Sequence, residues 1–367
     1  MKKISYLELA SLILIIVISM YSGININILK EDTGVNSWIA VILSYIIGFI
    51  PVLLIIYISK YKEKLNIFEK IKSLYGNLLG NIINIFISLI LLVIGISLLY
   101  NVTSFTTTQF LFRTPLLVSS ILLILLVIYN VNKEINVISH VSLVLMAINF
   151  TLFIISFASL AGEAELDNLL PILKENTSNI FLTSLKIAAM NTLPLLTILV
   201  IPKEQITNQD KYNKTIIFSY ILGSIISLLV VIGAISVLGI YLVDFFEFPE
   251  YAVLKKVKLF GFLERIENIV AIQWIIGNYM YLTIIIYCIS KNISNNSKKI
   301  FKYTSIITGI IIVIATKYIF KNITIFNTYI KNIFPYVISL LIIVYLLLTI
   351  KILIDNKKTS KKKITST

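Results

Sequence analysis

The chain has 367 residues, 58% of them hydrophobic and 14% charged, with a formal net charge of +14. Apolar stretches recur along its whole length and leave no soluble domain over, which excludes a globular water-soluble enzyme. The basic excess is not a nucleic-acid footprint, because no basic surface large enough to grip a duplex lies outside the apolar segments; it serves topology and lipid headgroups. One cysteine, Cys288, excludes an intramolecular disulfide, and one histidine, His140, without clustered partners argues against a metal site. No nucleotide-binding glycine loop or acyl-transfer triad occurs, so no cofactor and no catalytic group is expected.

A helix needs roughly 20 residues to cross a hydrocarbon core of about 30 Å. Ten stretches fit that requirement: 5–28, 36–59, 81–106, 114–132, 135–160, 180–201, 215–242, 266–290, 302–320 and 332–352. Met1-Lys2-Lys3 stands too close to the first for a secretory signal peptide, so the first stretch is expected to remain as a helix. Ser5-x-x-Glu8 at its start has the spacing of a capping box.

Within that first span, Ser19-Met-Tyr-Ser-Gly-Ile-Asn25 interrupts the apolar run. Gly23 lets the backbone leave helical geometry, and Ser22 and Asn25, on either side of Gly23-Ile24, offer side chains to the freed groups. Non-helical chain at membrane depth is tolerated only where protein or a water-filled cavity surrounds it. A broken helix presents partial positive charge at one end and partial negative charge at the other, which suits a zwitterion. The alternative is an ordinary outer helix end at Gly23.

The third span has no charge between Lys72 and Arg113, so its ends are not marked. Gly76-Asn-Leu-Leu-Gly80, where the amphipathic 60–80 segment enters it, reads as a turn or a close-packing site. Tyr100, Thr103 and Thr107 share one helical face of this span. The sixth span carries Lys186, which either pairs with a ligand or gate carboxylate or snorkels to the outer interface. Just after it, Ala188-Ala-Met-Asn-Thr-Leu-Pro194 repeats the interruption of span one. Pro194 cannot donate to the carbonyl of Met190, Asn191 lies beside it, and Ala188 and Ala189 leave room. The eighth span carries Trp274, Asn278 and Tyr281 on one stripe; such stripes also serve simply to join helices.

Spans one to five (about 5–160) and six to ten (about 180–352) have equal numbers, and each half has an odd number of crossings. The second half therefore enters from the opposite side, the geometry of an inverted repeat within a single transmembrane domain. An acidic loop with Glu163, Glu165, Asp167, Pro171 and Glu175 joins the halves, and a basic tail follows at 353–367. With the N-terminus inside, 21 Lys and Arg residues fall in inner tails and loops against ten in outer loops, with Lys186 in a span. That bias places both termini in the cytoplasm.

These features together resemble the B subunits of spore germinant receptors, in the amino acid/polyamine/organocation transporter superfamily. The likeness rests on the ten spans, the Ser22-Gly23-Ile24-Asn25 break, Gly34-Val-Asn-Ser-Trp38 and the proline in span six. Its most distinctive stretch is Phe248-Pro-Glu-Tyr-Ala-Val-Leu-Lys-Lys-Val257, continuing through Phe262-Leu-Glu-Arg-Ile-Glu-Asn268 to Trp274. The resemblance implies an all-α, LeuT-like five-plus-five fold with helices 1 and 6 broken, and a nutrient-sensing subunit in the inner membrane of the endospore. It also implies partnership with an A-type subunit and a C-type lipoprotein subunit, and an amino acid or related nutrient as ligand. Superfamily binding residues carry over to the breaks, with spans three and eight as walls. The resulting candidate set is Ser22, Gly23, Ile24, Asn25, Lys186, Ala189, Asn191, Tyr100, Thr103, Trp274 and Asn278. No coupling-ion carboxylate is evident beside the breaks, which favours sensing over amino acid/cation symport.

Overall fold

A computed structural model describes residues 3–173, 177–256, 266–295 and 297–364. Glu175 and residues 257–265 of the distinctive stretch lie outside the described residues, as does the side chain of Ser22. Helix α1 (Tyr6–Ser19) starts at the expected capping box: Ser5 Oγ accepts from the Glu8 N–H at 3.2 Å and Glu8 Oε2 accepts from the Ser5 N–H at 2.7 Å. The other Glu8 oxygen stands 3.2 Å from His140 Nδ1. A π-helical turn at Tyr21–Asn25 leads into α2 (Ile26–Thr33), and Gly34, at φ 53°, reverses the chain into α3 (Ser37–Lys60).

Helix α4 (Ile67–Gln109) has 43 residues, about 65 Å at 1.5 Å per residue and twice what the hydrocarbon demands. Gly76 resolves the excess: its φ of 77° bends off the amphipathic first turns. A Cβ at Gly80 would stand 2.8 Å from Lys72 Cα, so the bend also depends on close approach there. Helices α5 (Leu116–Val131) and α6 (Ile135–Leu160) complete the first half.

The second half opens with α7 (Thr177–Thr192), continued as a 3₁₀ run over Leu193–Val200. It goes on through α8 (Tyr212–Phe245), the short loop helix α9 (Pro249–Lys255), α10 (Glu267–Ser294) and α11 (Lys298–Ile319). After the loop helix α12 (Ile323–Asn332), the tenth crossing is segmented into α13 (Phe334–Ser339) and α14 (Leu341–Ile364). Among the described residues, eight helical stretches are long and apolar enough to span a bilayer. The first, Tyr6–Lys60, turns back at Gly34 and contains two crossings, and the 16-residue α5 supplies the tenth. The tenth span, expected to end at 352, stays helical to Ile364, because its lysine-rich tail has neither proline nor glycine to stop it.

The helices pack in two groups. Helices α1, α3, α7 and α8 pack on one another, while α4, α5, α10 and α11 form the second layer, with α10 touching α1 between them. Outward faces stay apolar: Leu122, Leu125 and Leu126 of α5 are all more than half exposed, the pattern of a helix solvated by lipid. The N-terminal stub is strapped to the loop after span six, with the Ile4 N–H donating to the Gln205 carbonyl and the Thr207 N–H to that of Ile4.

Candidate functional site: two helix breaks in contact

The first break is a π turn closed by the Asn25 N–H donating to the Met20 carbonyl at 3.0 Å. Gly23 sits in it at φ 70°, a left-handed conformation that costs side-chain-bearing residues about 1–2 kcal/mol. Space excludes a side chain as well: a Cβ there would stand 2.6 Å from Asn101 Oδ1 and 2.7 Å from Trp274 Cη2. The backbone groups freed by the turn find side chains. Glu250 Oε1 accepts from the Gly23 N–H at 2.5 Å, and Asn27 Nδ2 donates to the Gly23 carbonyl at 3.0 Å.

The second break falls about one turn later than the sequence suggests. Helix α7 continues through Asn191 to Thr192, whose Oγ1 donates to the Ala188 carbonyl at 2.6 Å. Pro194 then sits at the start of the 3₁₀ run, where it has no donor to lose. Tyr345 OH donates to the Leu193 carbonyl at 2.9 Å and Thr197 Oγ1 to that of Pro194 at 2.8 Å, satisfying acceptors in the broken segment.

The two breaks touch. Asn25 Nδ2 donates to Asn191 Oδ1 at 2.7 Å across 166 residues of sequence, and both side chains are fully buried. The remaining amide atoms, Asn25 Oδ1 and Asn191 Nδ2, have no partner. Tyr21 stacks on Tyr45 with ring centroids 6.1 Å apart, its hydroxyl lying beside Ser44, Tyr45 and Asn191 without a hydrogen bond of normal geometry. Tyr220 closes this wall by donating to the Tyr45 carbonyl at 2.8 Å.

The other expected residues divide. Ile24 is fully buried in the turn, and Trp274 covers Gly23 while stacking on Phe105 at 4.1 Å. Asn278 lies one turn further along α10, its Nδ2 donating to the Trp274 carbonyl and its Oδ1 unpartnered. On α4, however, it is Asn101 that reaches the break. The Tyr100 ring packs instead on Phe320 and Phe326, and Thr103 Oγ1 bonds the Leu99 carbonyl and faces Ser120 of α5. The expected stripe turns toward its neighbours in the second layer, because successive helical residues are rotated by about 100°.

Lys186 is likewise held away from the Asn25–Asn191 contact. Its Nζ donates to Asp32 Oδ2 at 2.8 Å, with the two side chains only 10% and 11% exposed. Thr183 Oγ1 shares that oxygen at 3.2 Å, while Lys331 lies 3.4 Å from the other oxygen of Asp32 and 2.8 Å from Glu31. The group ties α2, α7 and α12 together. Ala189 and Lys186 line a separate groove of about 410 Å³ between α3, α7 and α13.

The residue that sequence reasoning missed is Glu250. It is carried on α9, between spans seven and eight and outside the ten spans, and is 5% exposed. Burial pushes its carboxyl up to about 7, against the pull of the Gly23 N–H and of Lys30. Oε2 has no partner. Its one visible signal was a carboxylate inside the otherwise apolar Phe248-Pro-Glu-Tyr-Ala-Val-Leu run. Among the described residues, no group of three or more His, Cys, Asp or Glu side chains is placed to hold a metal ion.

Comparison with known proteins places this geometry. A family model described as spore germination protein matches residues 3–324. The chain is 28% identical over 342 residues to a putative spore germination protein of Bacillus subtilis strain 168, YfkT, covering 89% of this chain and 91% of that one. It is 23% identical over 265 residues to spore germination protein XB of Bacillus anthracis, covering 72% and 73%. Among solved structures it resembles a Na+-coupled sialic acid symporter in a substrate-bound outward-open state, with TM-score 0.66 and 12% identity over 93% of this chain and 78% of that one. A nucleobase-cation-symport-1 family transporter with bromovinylhydantoin bound gives TM-score 0.62 and 12% identity, covering 90% and 75%. These likenesses show the LeuT-like fold with its first and sixth helices broken. The chain is an integral membrane protein that belongs to the spore germination protein family.

Proposed function

We propose that this chain is the nutrient-sensing transmembrane subunit of a spore germinant receptor, binding a small germinant such as an amino acid between its two helix breaks. The observation that carries the reading is the Asn25–Asn191 contact. Its leftover atoms are one acceptor, Asn25 Oδ1, and one donor, Asn191 Nδ2, buried side by side. A zwitterion needs both: an ammonium donates to the first, and a carboxylate accepts from the second and from the positive end of α2. A ligand inserted there exchanges one interhelical bond for several, so it biases the arrangement of the α1, α3, α7 and α8 group against the second layer. Family membership supports passing that shift to A-type and C-type receptor subunits in the inner membrane of the spore. The lysine bias supports termini on the core side.

Glu250 favours a second reading, an amino acid/cation symporter, because it puts a carboxylate beside the first break, where the sequence showed none. Reconstitution into proteoliposomes separates the two. A sensor binds its germinant without concentrating it, whereas sustained uphill uptake driven by a proton or sodium gradient establishes symport.

A further inference from the structure

A cavity of about 100 Å³ lies on the opposite side of span one, between α1, α6, α8, α9 and α10. Its walls are largely apolar and aromatic, with Phe150, Phe153, Phe157 and Trp274 among them. Phe150 and Phe157 are also 38% and 37% exposed on the outward face of α6, so the cavity opens toward the acyl chains. Two lining residues keep an acceptor oxygen without a partner: Glu250 its Oε2 and Asn278 its Oδ1. Among the described residues, Lys30, whose charge pulls on Glu250, donates its hydrogen bonds to the carbonyls of Asp244 and Phe246 at 3.2 and 2.7 Å.

We infer that this cavity is a second ligand site, which takes a primary ammonium carrying a small aryl or alkyl group, entering from the bilayer and pairing with Glu250. Three features select that chemistry. The unpartnered carboxylate and amide oxygens demand donors, and an ammonium has three. The aromatic walls attract a cation over their faces and bury its hydrocarbon part. A hard inorganic cation needs a full shell of oxygens, and this wall offers two unpartnered ones. Burial raises the proton affinity of Glu250, and an ammonium paired with Oε2 opposes that shift. Because Glu250 Oε1 holds the Gly23 N–H, an ammonium on Oε2 adjusts the backbone of the first break from behind. Binding here does not require a ligand at Asn25 and Asn191.

The test uses the purified full chain in lipid nanodiscs with Trp38→Phe, so that Trp274 reports. Benzylamine is titrated against benzyl alcohol, its neutral counterpart of similar size, and emission is followed. Benzylamine is expected to bind saturably and at least tenfold more tightly than the alcohol. Glu250→Gln, which keeps an acceptor for the Gly23 N–H, removes that preference and leaves the alcohol unchanged. Should Glu250→Gln not fold, Leu229→Phe in the cavity wall decides, since filling the space abolishes binding of both compounds. Equal affinity for amine and alcohol, undiminished amine binding in Glu250→Gln or Leu229→Phe, or no saturable binding overturns the proposal.

Discussion

Removing Asp32 is expected to destabilise the protein far more than removing its partner, Lys186. Asp32→Ala strands the Lys186 ammonium, whose side chain is 10% exposed and whose ion pair is that 2.8 Å contact. Stranding a buried charge costs about 3–5 kcal/mol, and the flexible lysine stem recovers part by reaching toward the headgroups, which places the loss near 3 kcal/mol. Lys186→Met keeps the stem's packing, and Asp32 retains Thr183 at 3.2 Å and Lys331 at 3.4 Å. Its loss is about 1 kcal/mol. The asymmetry of about 2 kcal/mol is a factor of roughly 30 in the unfolding equilibrium. The double variant Asp32→Ala/Lys186→Met should recover most of the damage of the first substitution, since neither charge is then left alone. Reversible denaturation in mixed micelles measures all three. Equal losses in the single variants, or a double variant worse than Asp32→Ala, refutes the idea that this pair is a buried latch between α2 and α7.

Gly23→Leu should leave the protein in the membrane and abolish the nutrient response, and Gly23→Ala should lower stability by about 2–5 kcal/mol, combining left-handed strain with overpacking against Trp274; immunoblotting with a germination dose series checks both. Glu250 gives a pH dependence of defined sign. Its folded-state value of about 7 lies above the ordinary 4.5, so between these the folded state holds a proton that the unfolded state lacks. Stability therefore falls as pH rises through that window and levels off above it, by on the order of 3 kcal/mol in all. Thermal unfolding from pH 4.5 to 8 should show this slope in the wild type and lose it in Glu250→Gln; parallel curves exclude the assignment. Tyr345→Phe, which deprives the Leu193 carbonyl of its donor, should cost about 1–3 kcal/mol in the same denaturation assay, and a neutral effect argues against a supporting role for this hydroxyl in the broken segment.

What could be read in advance follows from how local each cause is. The crossings were legible because bilayer thickness sets helix length, and Gly23 because an interruption between Ser22 and Asn25 needs a residue free of Cβ constraints. Pro194 was legible too, but not the position of the break it makes, because a proline at the first turn of a new helix lets the preceding one run on to Thr192. Long-range partners were not legible. Glu250 meets Gly23 across 227 residues and Lys186 meets Asp32 across 154, and nothing in either local sequence names the other. That Asn101, next to Tyr100, is the α4 side chain nearest Gly23 was not legible either, since a polar stripe shows which residues share a face and not which neighbour that face meets.

The central claim is that a small nutrient binds where the breaks meet at Asn25 and Asn191. A dose-response measurement on spores carrying Asn191→Ala at wild-type protein level, across an amino-acid panel, tests it most directly. The account predicts that the midpoint for the effective nutrient rises at least tenfold, equivalent to about 1.4 kcal/mol of lost binding. An unchanged midpoint would contradict it and move the ligand away from the breaks.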